Sequence, residues 1–518
     1  MREIAAETVH LNHQRFPTTA APTALQSLMA HALDVACMLP IFQRELSTMT
    51  DTPMRVVTCK ARADKTQVTR PQRKSRVIYH LVIEFGQGQQ RHYDLWGVLP
   101  VTPAFLSPEL LACCRAAQAH PAVVPFVRLA VYIPELRMGL QFLPVDLALP
   151  ALLEATQPYG GRLVTPFLPE CQNGSILAQT HIELLHYRPG TRCVVKFTVQ
   201  LAGTVGDLHQ RVVFAKLFAD DRGAAIYRDM QRLWDVSRRS DCLRVPEPLG
   251  YDAERRMLVM AEAIGERHLN VWIKCLEKEQ PLPPGANLGR LERSMTVVAA
   301  ALHELHHSGI HPTKSLTFHD ELTDAWKDLE LIRPGHLELA RDIERILERL
   351  QTYTPDNERL MPCHGGFRHK QLVGNDEYVT LIDWDGLTLA HPALDAASFL
   401  CRLRHAPLTQ PGKAKALEGL AEVFRREFLA REPEVSPQIL ALYETLVLMD
   451  LTLRALRHPE RREHIAVHSH RLVAEAERLL DRQKNPVGMV DGSRLMASAL
   501  TAAPSARSMC PLEETSTS

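Results

Sequence analysis

Residues 361–374 read MPCHGGFRHKQLVG, and residues 378–386 read YVTLIDWDG. The first stretch is a short apolar run, a tight turn at Gly365-Gly366 and a polar loop. The second is an apolar strand that stops at Asp383, with Asp385 two residues on. A carboxylate at the end of a buried strand is unfavourable unless a cation meets it. A metal is one such cation; a turn-forming aspartate at a strand end is the plainer reading. His364 fits a residue that locks the loop by bonding backbone carbonyls better than a general base, because no Ser or Cys nucleophile stands at readable spacing. Gln371 offers an amide oxygen to a cation.

Upstream of this pair the texture is β-rich. RVVTCKA, VIYHLVIEF and QRHYDLWGVL alternate as strands between residues 55 and 99, with the basic loop TRPQRKSR between the first two. A helix, SPELLACCRAAQAH, and two short strands in LAVYIPELRMGLQFLP follow. The same order returns about 118 residues later. There THIELLHYRPGTRCVVKFTVQL gives strand, loop and strand, QRVVFAKLFA a third strand, GAAIYRDMQRLWDVS a helix, and LGYDAERRMLVMAEAIG a strand pair. Arg70-Pro71 matches Arg188-Pro189, and YIPELRMGLQFLP matches YDAERRMLVMAEA. The reading adopted is a degenerate duplication of one small antiparallel-sheet domain; a chance likeness of two β-rich segments is the alternative.

After Gly265 the chain is mostly helical, with apolar stripes at helical spacing in LERSMTVVAAALHELHHSG, TDAWKDLELI, LELARDIERILERLQTY, ALEGLAEVFRREFLARE, QILALYETLVLMDLTLRALR and HSHRLVAEAERLLDRQ. The expected layout is a helical extension over 1–54, a β-rich domain over 55–160, a small β lobe over 161–264, a helical lobe over 265–484 and a disordered tail over 485–518. This is an α+β arrangement with a cleft between the second sheet and the helical lobe.

The totals narrow the function classes. The chain has 518 residues, 45% hydrophobic and 23% charged, which points to two or three soluble domains. Lys+Arg and Asp+Glu both number 60, so no nucleic-acid-binding surface is expected. The 11 scattered cysteines contain no CxxC pair and read as reduced thiols of a cytoplasmic protein. The N-terminus lacks the apolar core of a signal peptide, and no run is long enough to span a membrane. His303 and His307 stand four apart on a helical pattern, a spacing that suits a metal. No carboxylate completes the set apart from Glu304, which points away, so a polar helix face carrying histidines is expected.

A phosphoryl-transfer site needs a cation on the phosphates and a carboxylate for magnesium. Lys216, inside the alternating strand QRVVFAKLFA, could supply the cation, and Asp229 on the following helix could orient it. From the strand alone, a lysine on the solvent face is the commoner case. The order of all these motifs is more telling. The segment from about Ser175 to Arg402 resembles the aminoglycoside phosphotransferase and choline kinase-like family, which has the protein-kinase fold. The family's His-Gly-Asp loop, with an Asn five residues after the Asp, is similar to HGGFRHKQ here, and its Ile-Asp strand end to LIDWDG. The resemblance implies that Lys216 contacts ATP or another nucleoside triphosphate and that Asp383 and Gln371 hold Mg2+. It also implies that Met260 is the gatekeeper, with Glu262 and Ala263 near adenine. Asp395, in HPALDAASFL, would be a structural aspartate.

The departures from the family pattern matter. Gly366 stands where the family has its catalytic Asp, and Gln371 where it has the metal-binding Asn. A positioned general base is worth about 10²–10⁴-fold in rate. Asp385 and His369 are nearby candidates, though neither stands at the lost position. Arg368 and Lys370 make the loop cationic. The phosphate-covering loop HYRPGTRC has one glycine, Gly190, flanked by Arg188 and Arg192. The first β-rich domain has no lysine in DLWGVL, so it would buttress the second or present a protein-binding surface. The expected function is Mg-ATP binding with impaired or altered phosphoryl transfer to a small-molecule hydroxyl. The alternative is an inactive pseudokinase that senses nucleotide and engages a protein partner.

Overall fold

A computed structural model describes residues 22–63, 74–203, 207–265, 268–353, 359–410, 414–456 and 459–481. The expected tail over 485–518 lies outside the described residues. The chain divides into two compact units: Met1–Gln157 with Arg188–Thr191, and Pro158–Tyr187 with Arg192–Ser518.

The first unit holds a five-stranded antiparallel sheet of β1 (Met54–Ala63), β2 (Ser75–Phe85), β3 (Gln89–Leu99), β4 (Ala130–Ile133) and β5 (Met138–Phe142), in the order β1-β2-β3-β5-β4. The helical pattern expected near the N-terminus is broken into two helices, Pro22–Leu33 and Val35–Ser47. The break is at Asp34, whose side chain caps the second helix by accepting from Ala36 N at 2.9 Å. These helices are part of the unit's core: Met38, Phe42 and Leu46 are buried with Tyr79, Phe126 and Phe142. Phe42 meets Tyr79 edge to face at 4.9 Å. The buried Tyr79 hydroxyl donates to Ala32 O at 2.8 Å, which satisfies the polar tip of an otherwise apolar residue.

The second unit opens on another antiparallel sheet, built from β6 (Ile176–Arg188), β7 (Arg192–Ala202) and β8 (Leu208–Phe218). A two-residue strand β9 (Leu243–Arg244) precedes its last pair, β10 (Pro248–Asp252) and β11 (Met257–Ala261). The order is β10-β11-β8-β7-β6. In β7 every second residue is buried, as expected for a strand with one face on a core. Strand for strand, this is the order of the first unit, and in both a helix follows the third strand: Pro108–Ala117 in one, Arg222–Ser237 in the other. Lys216 of β8 pairs with Val194 of β7, and in the first unit Val98 of β3 pairs with Arg76 of β2 at the equivalent register. A buried valine therefore occupies the place of the lysine.

The helical part follows the expected pattern, with helices Leu288–His306, Phe318–Ile332, Leu337–Gln351, Lys415–Arg431, Pro437–Leu456 and Pro459–Asp481. Asn287 caps the first, and Thr317 with Asp320 forms a capping box on the second. Phe367, Phe399, Phe424 and Phe428 are fully buried at its centre, each contributing about 1.5–3 kcal/mol relative to exposure. The helices are interrupted by short strands: β12 (Ser315–Leu316), β13 (Met361–Cys363), β14 (Leu372–Gly374), β15 (Val379–Leu381) and β16 (Thr388–Ala390). They form two three-stranded sheets, β12-β16-β13 and β14-β15-β9. Among the described residues no helix is long and apolar enough to cross a membrane. No described cysteine forms a disulfide.

Candidate active site

Lys216 lies at the centre of the second sheet, with β7 on one side and β11 on the other. It is 6% exposed, so its charge needs a partner. Two residues supply it. Lys216 Nζ is 2.9 Å from Asp383 Oδ1 and makes a second, shorter contact with Asp385 Oδ1. Arg192, at the start of β7, binds Asp385 through its other oxygen and stands 3.9 Å from Asp383. Two cations and two carboxylates thus close a neutral cluster between sheet and helical part. Burial alone would push the Asp383 carboxyl up; Lys216, with Arg192 and His364, outweighs it and holds the group well below the usual carboxylate range.

The loop below this cluster is fixed by short-range geometry. Asp383 has left-handed backbone, at φ 72°, which an aspartate tolerates better than most residues. The turn at Gly365 is also left-handed, at φ 71°, and a Cβ there would stand 2.0 Å from Gly386 O, so only glycine fits. Asp395 accepts from the backbone N–H of His364 at 2.6 Å and of Gly365 at 3.0 Å. It is completely buried and anchors the loop as the structural aspartate of the sequence reading. His364 places Nε2 3.0 Å from Ile382 O, and its ring packs against Trp384. That is a backbone-carbonyl partner, as a loop-locking residue requires.

Gln371 donates Nε2 to Asp383 Oδ2 at 3.5 Å, while its Oε1 is buried with no partner. At Gly366 nothing approaches within 4 Å of where a Cβ would be, so the position opens onto free space. His369, the other imidazole of the loop, is buried. Burial, reinforced by Lys370, Arg368 and Arg402, pushes it down to about 4, so it is neutral at pH 7. Met260 is half-buried in β11 opposite Phe214, and Glu262 and Ala263 follow where the chain leaves the sheet. Just beyond, Thr380 donates to Ile264 O at 2.6 Å, tying this exit to β15.

Three expectations need correction. Asp229 does not orient Lys216. Its nearest cation is Arg232 at 3.7 Å, and burial raises its carboxyl. The lysine is neutralised instead by the Asp-Trp-Asp turn, which brings two carboxylates to its tip. Asp229 shares a small cleft with Arg222, Thr313, Lys314, Trp384 and Asp385. Asp385, considered as a replacement base, is engaged by both Lys216 and Arg192. The histidines at the end of helix Leu288–His306 are not a plain polar face: His303, His306 and the capping His307 converge on Glu432, which is completely buried. Glu304 points elsewhere, to Cys242 Sγ at 3.1 Å.

Residues 204–435 match the model of the phosphotransferase enzyme family. No curated protein matches the chain in sequence. Similar solved structures include a choline/ethanolamine kinase family protein from Mesorhizobium loti, at 15% identity over 66% of this chain and 98% of that one, with a TM-score of 0.36. Choline kinase LicA from Streptococcus pneumoniae is similar at 13% identity over 61% and 96%, with a TM-score of 0.38. The GDP complex of a mutant aminoglycoside 2'-phosphotransferase IIIa is similar at 12% identity over 62% and 96%, with a TM-score of 0.38.

Proposed function

We propose that the second unit binds a magnesium nucleotide, ATP or another nucleoside triphosphate, and that its transfer of phosphate to a small-molecule hydroxyl is impaired or altered. The observation that carries this is the meeting of Lys216 with Asp383, a buried cation and a strongly ionised carboxylate from distant parts of the chain. The family match over residues 204–435 supplies the reaction class. Lys216 and Arg192 engage the phosphates, and residues 260–263 face the base.

The residues present fit a magnesium ion. Magnesium takes oxygen ligands, chiefly carboxylates with phosphate and water. Asp383 is ionised, and Gln371 presents a buried, unpartnered amide oxygen beside it. When bound, the ion neutralises charge on the transferring phosphate. Gln371 reaches one methylene farther than the asparagine of the family pattern; its amide nitrogen meets Asp383, and its unpartnered amide oxygen is the atom left for a cation.

What the site lacks is a base. Gly366 offers no proton acceptor, Asp385 is bound to two cations, and the loop around Gly366 carries Arg368 and Lys370. Phosphoryl transfer depends mainly on positioning and charge neutralisation, so a slow transferase is consistent with this arrangement. The same observations favour a second reading, a pseudokinase in which nucleotide binding selects a conformation read by a protein partner. In both, the protein works in the reducing cytoplasm. The first unit is read as a degenerate copy of the nucleotide-binding sheet, without the lysine.

Mg-ATP binding, followed by thermal shift, and turnover with a panel of hydroxylated metabolites test this. Binding with turnover that disappears in Asp383→Asn supports a transferase. Binding without turnover supports the pseudokinase. Absence of binding rejects both.

A further inference from the structure

We infer that a divalent transition-metal ion of the zinc class binds at the C-terminal end of helix Leu288–His306, held by His303, His307 and Glu432. The inference is independent of the nucleotide site. His303 and His307 lie one helical turn apart, with ring centroids 4.2 Å from each other. Glu432, immediately after helix Lys415–Arg431, brings its carboxylate up to both. His303 Nδ1 is 3.1 Å from Oε1 and His307 Nε2 is 3.1 Å from Oε2. One nitrogen of each ring and a carboxylate oxygen all lie within 4.8 Å of one another. A zinc ion with bonds of about 2.0–2.2 Å places neighbouring ligand atoms about 3.3 Å apart, so small ring movements close the site.

Burial and surroundings fit such an ion. The Glu432 side chain is 0% exposed, whereas His303 and His307 are 35% and 36% exposed. The set is therefore sealed on the carboxylate side and open on the imidazole side, leaving a fourth position for water or another ligand. His306 holds the carboxylate from behind: its Nδ1 is 3.1 Å from Glu432 Oε1, and its Nε2 is 3.5 Å from Asp395 Oδ2. A hydrogen-bonded partner that orients a ligating group is a regular part of zinc sites, and its loss typically weakens binding about 10–100-fold. Two imidazoles select zinc, cobalt or nickel over magnesium and calcium, which take oxygen ligands. Asp395 also anchors the Gly365 turn, so the ion would lie one histidine away from the residue that shapes the loop.

The alternative is that the three imidazoles merely satisfy a buried carboxylate. Full-length protein, stripped with chelator and kept reduced, would be titrated with Zn2+ and Co2+ and compared with His303→Ala/His307→Ala, whose changes lie on the exposed side. The wild type should retain one more equivalent of zinc per chain than the variant and melt at higher temperature with zinc. It should also show the visible spectrum of four-coordinate cobalt, absent from the variant. Equal metal content and equal spectra would overturn the proposal, because any zinc bound would then reside on other cysteines or histidines. If the double variant fails to fold, His307→Ala alone provides the comparison: because His307 is a ligand, its loss should lower affinity by more than the about 10–100-fold that losing an orienting partner costs, and unchanged affinity refutes the site.

Discussion

Lys216 Nζ stands 2.9 Å from Asp383 Oδ1, although 167 positions separate the two residues in the chain. The lysine comes from the middle of a sheet and the aspartate from a turn between short strands of the helical part. Lys216→Ala should lower the affinity for Mg-ATP at least tenfold, as read by calorimetric titration. It should also leave Asp383 and Asp385 with Arg192 as their one cation from the cluster.

Gly366→Asp should add the missing acceptor. Nothing occupies the space around that Cβ, so the variant should fold with a melting temperature close to wild type. If absence of a base limits the rate, turnover should rise by about 10²-fold or more with a suitable acceptor. No rise, with binding intact, would place the limitation elsewhere. Gly365→Ala should behave in the opposite way, because its methyl group would be driven into Gly386 O and the loop would have to move.

A buried ion triad offers a stability test away from the site. Glu444 is completely buried and pairs with Arg425 and Arg404, with Arg425 Nη2 at 3.0 Å. Removing the shared carboxylate takes the buried acid from between two guanidinium groups and leaves Arg404 with Glu475 and Arg425 with the more exposed Glu422. Glu444→Ala should cost about 3–5 kcal/mol in denaturant unfolding.

Glu321 predicts a pH dependence. Burial, with Asp450 nearby, raises its carboxyl from 4.5 to about 7. The folded state then holds the proton more tightly than the unfolded chain, so this residue's contribution falls as pH rises from 4.5 through about 7. Glu321→Gln removes that slope. Its melting temperature relative to wild type should rise between pH 4 and pH 8, and a constant difference would contradict the shift.

Local pattern made much of this legible. The alternation around Lys216, the glycine turn and the abrupt Asp at a strand end are short-range signals, and their order located the site. The two five-stranded sheets share one strand order, in line with the likeness of the two segments in sequence. What escaped was set by long-range packing. Glu432 is 125 positions from His307, so the histidine spacing alone could not reveal the carboxylate that completes it. Asp229 lies thirteen residues after Lys216 on the following helix, a nearness in sequence that the structure does not turn into a contact. Which of several carboxylates reaches an ammonium depends on the Asp-Trp-Asp turn, whose left-handed residue a strand pattern does not disclose. The Arg192–Asp385 contact has the same character.

The sheet that carries Lys216 is complete by Ala261, long before Asp383 and Asp385 are synthesised. While the chain emerges, the Lys216 ammonium has neither carboxylate, so the nascent sheet lacks the ion cluster that joins it to the helical part. Strand β9 waits equally for β15. A fragment stopping at residue 265 should therefore be poorly stable on its own, and a premature stop anywhere before 383 would remove the fold's electrostatic closure together with its chemistry.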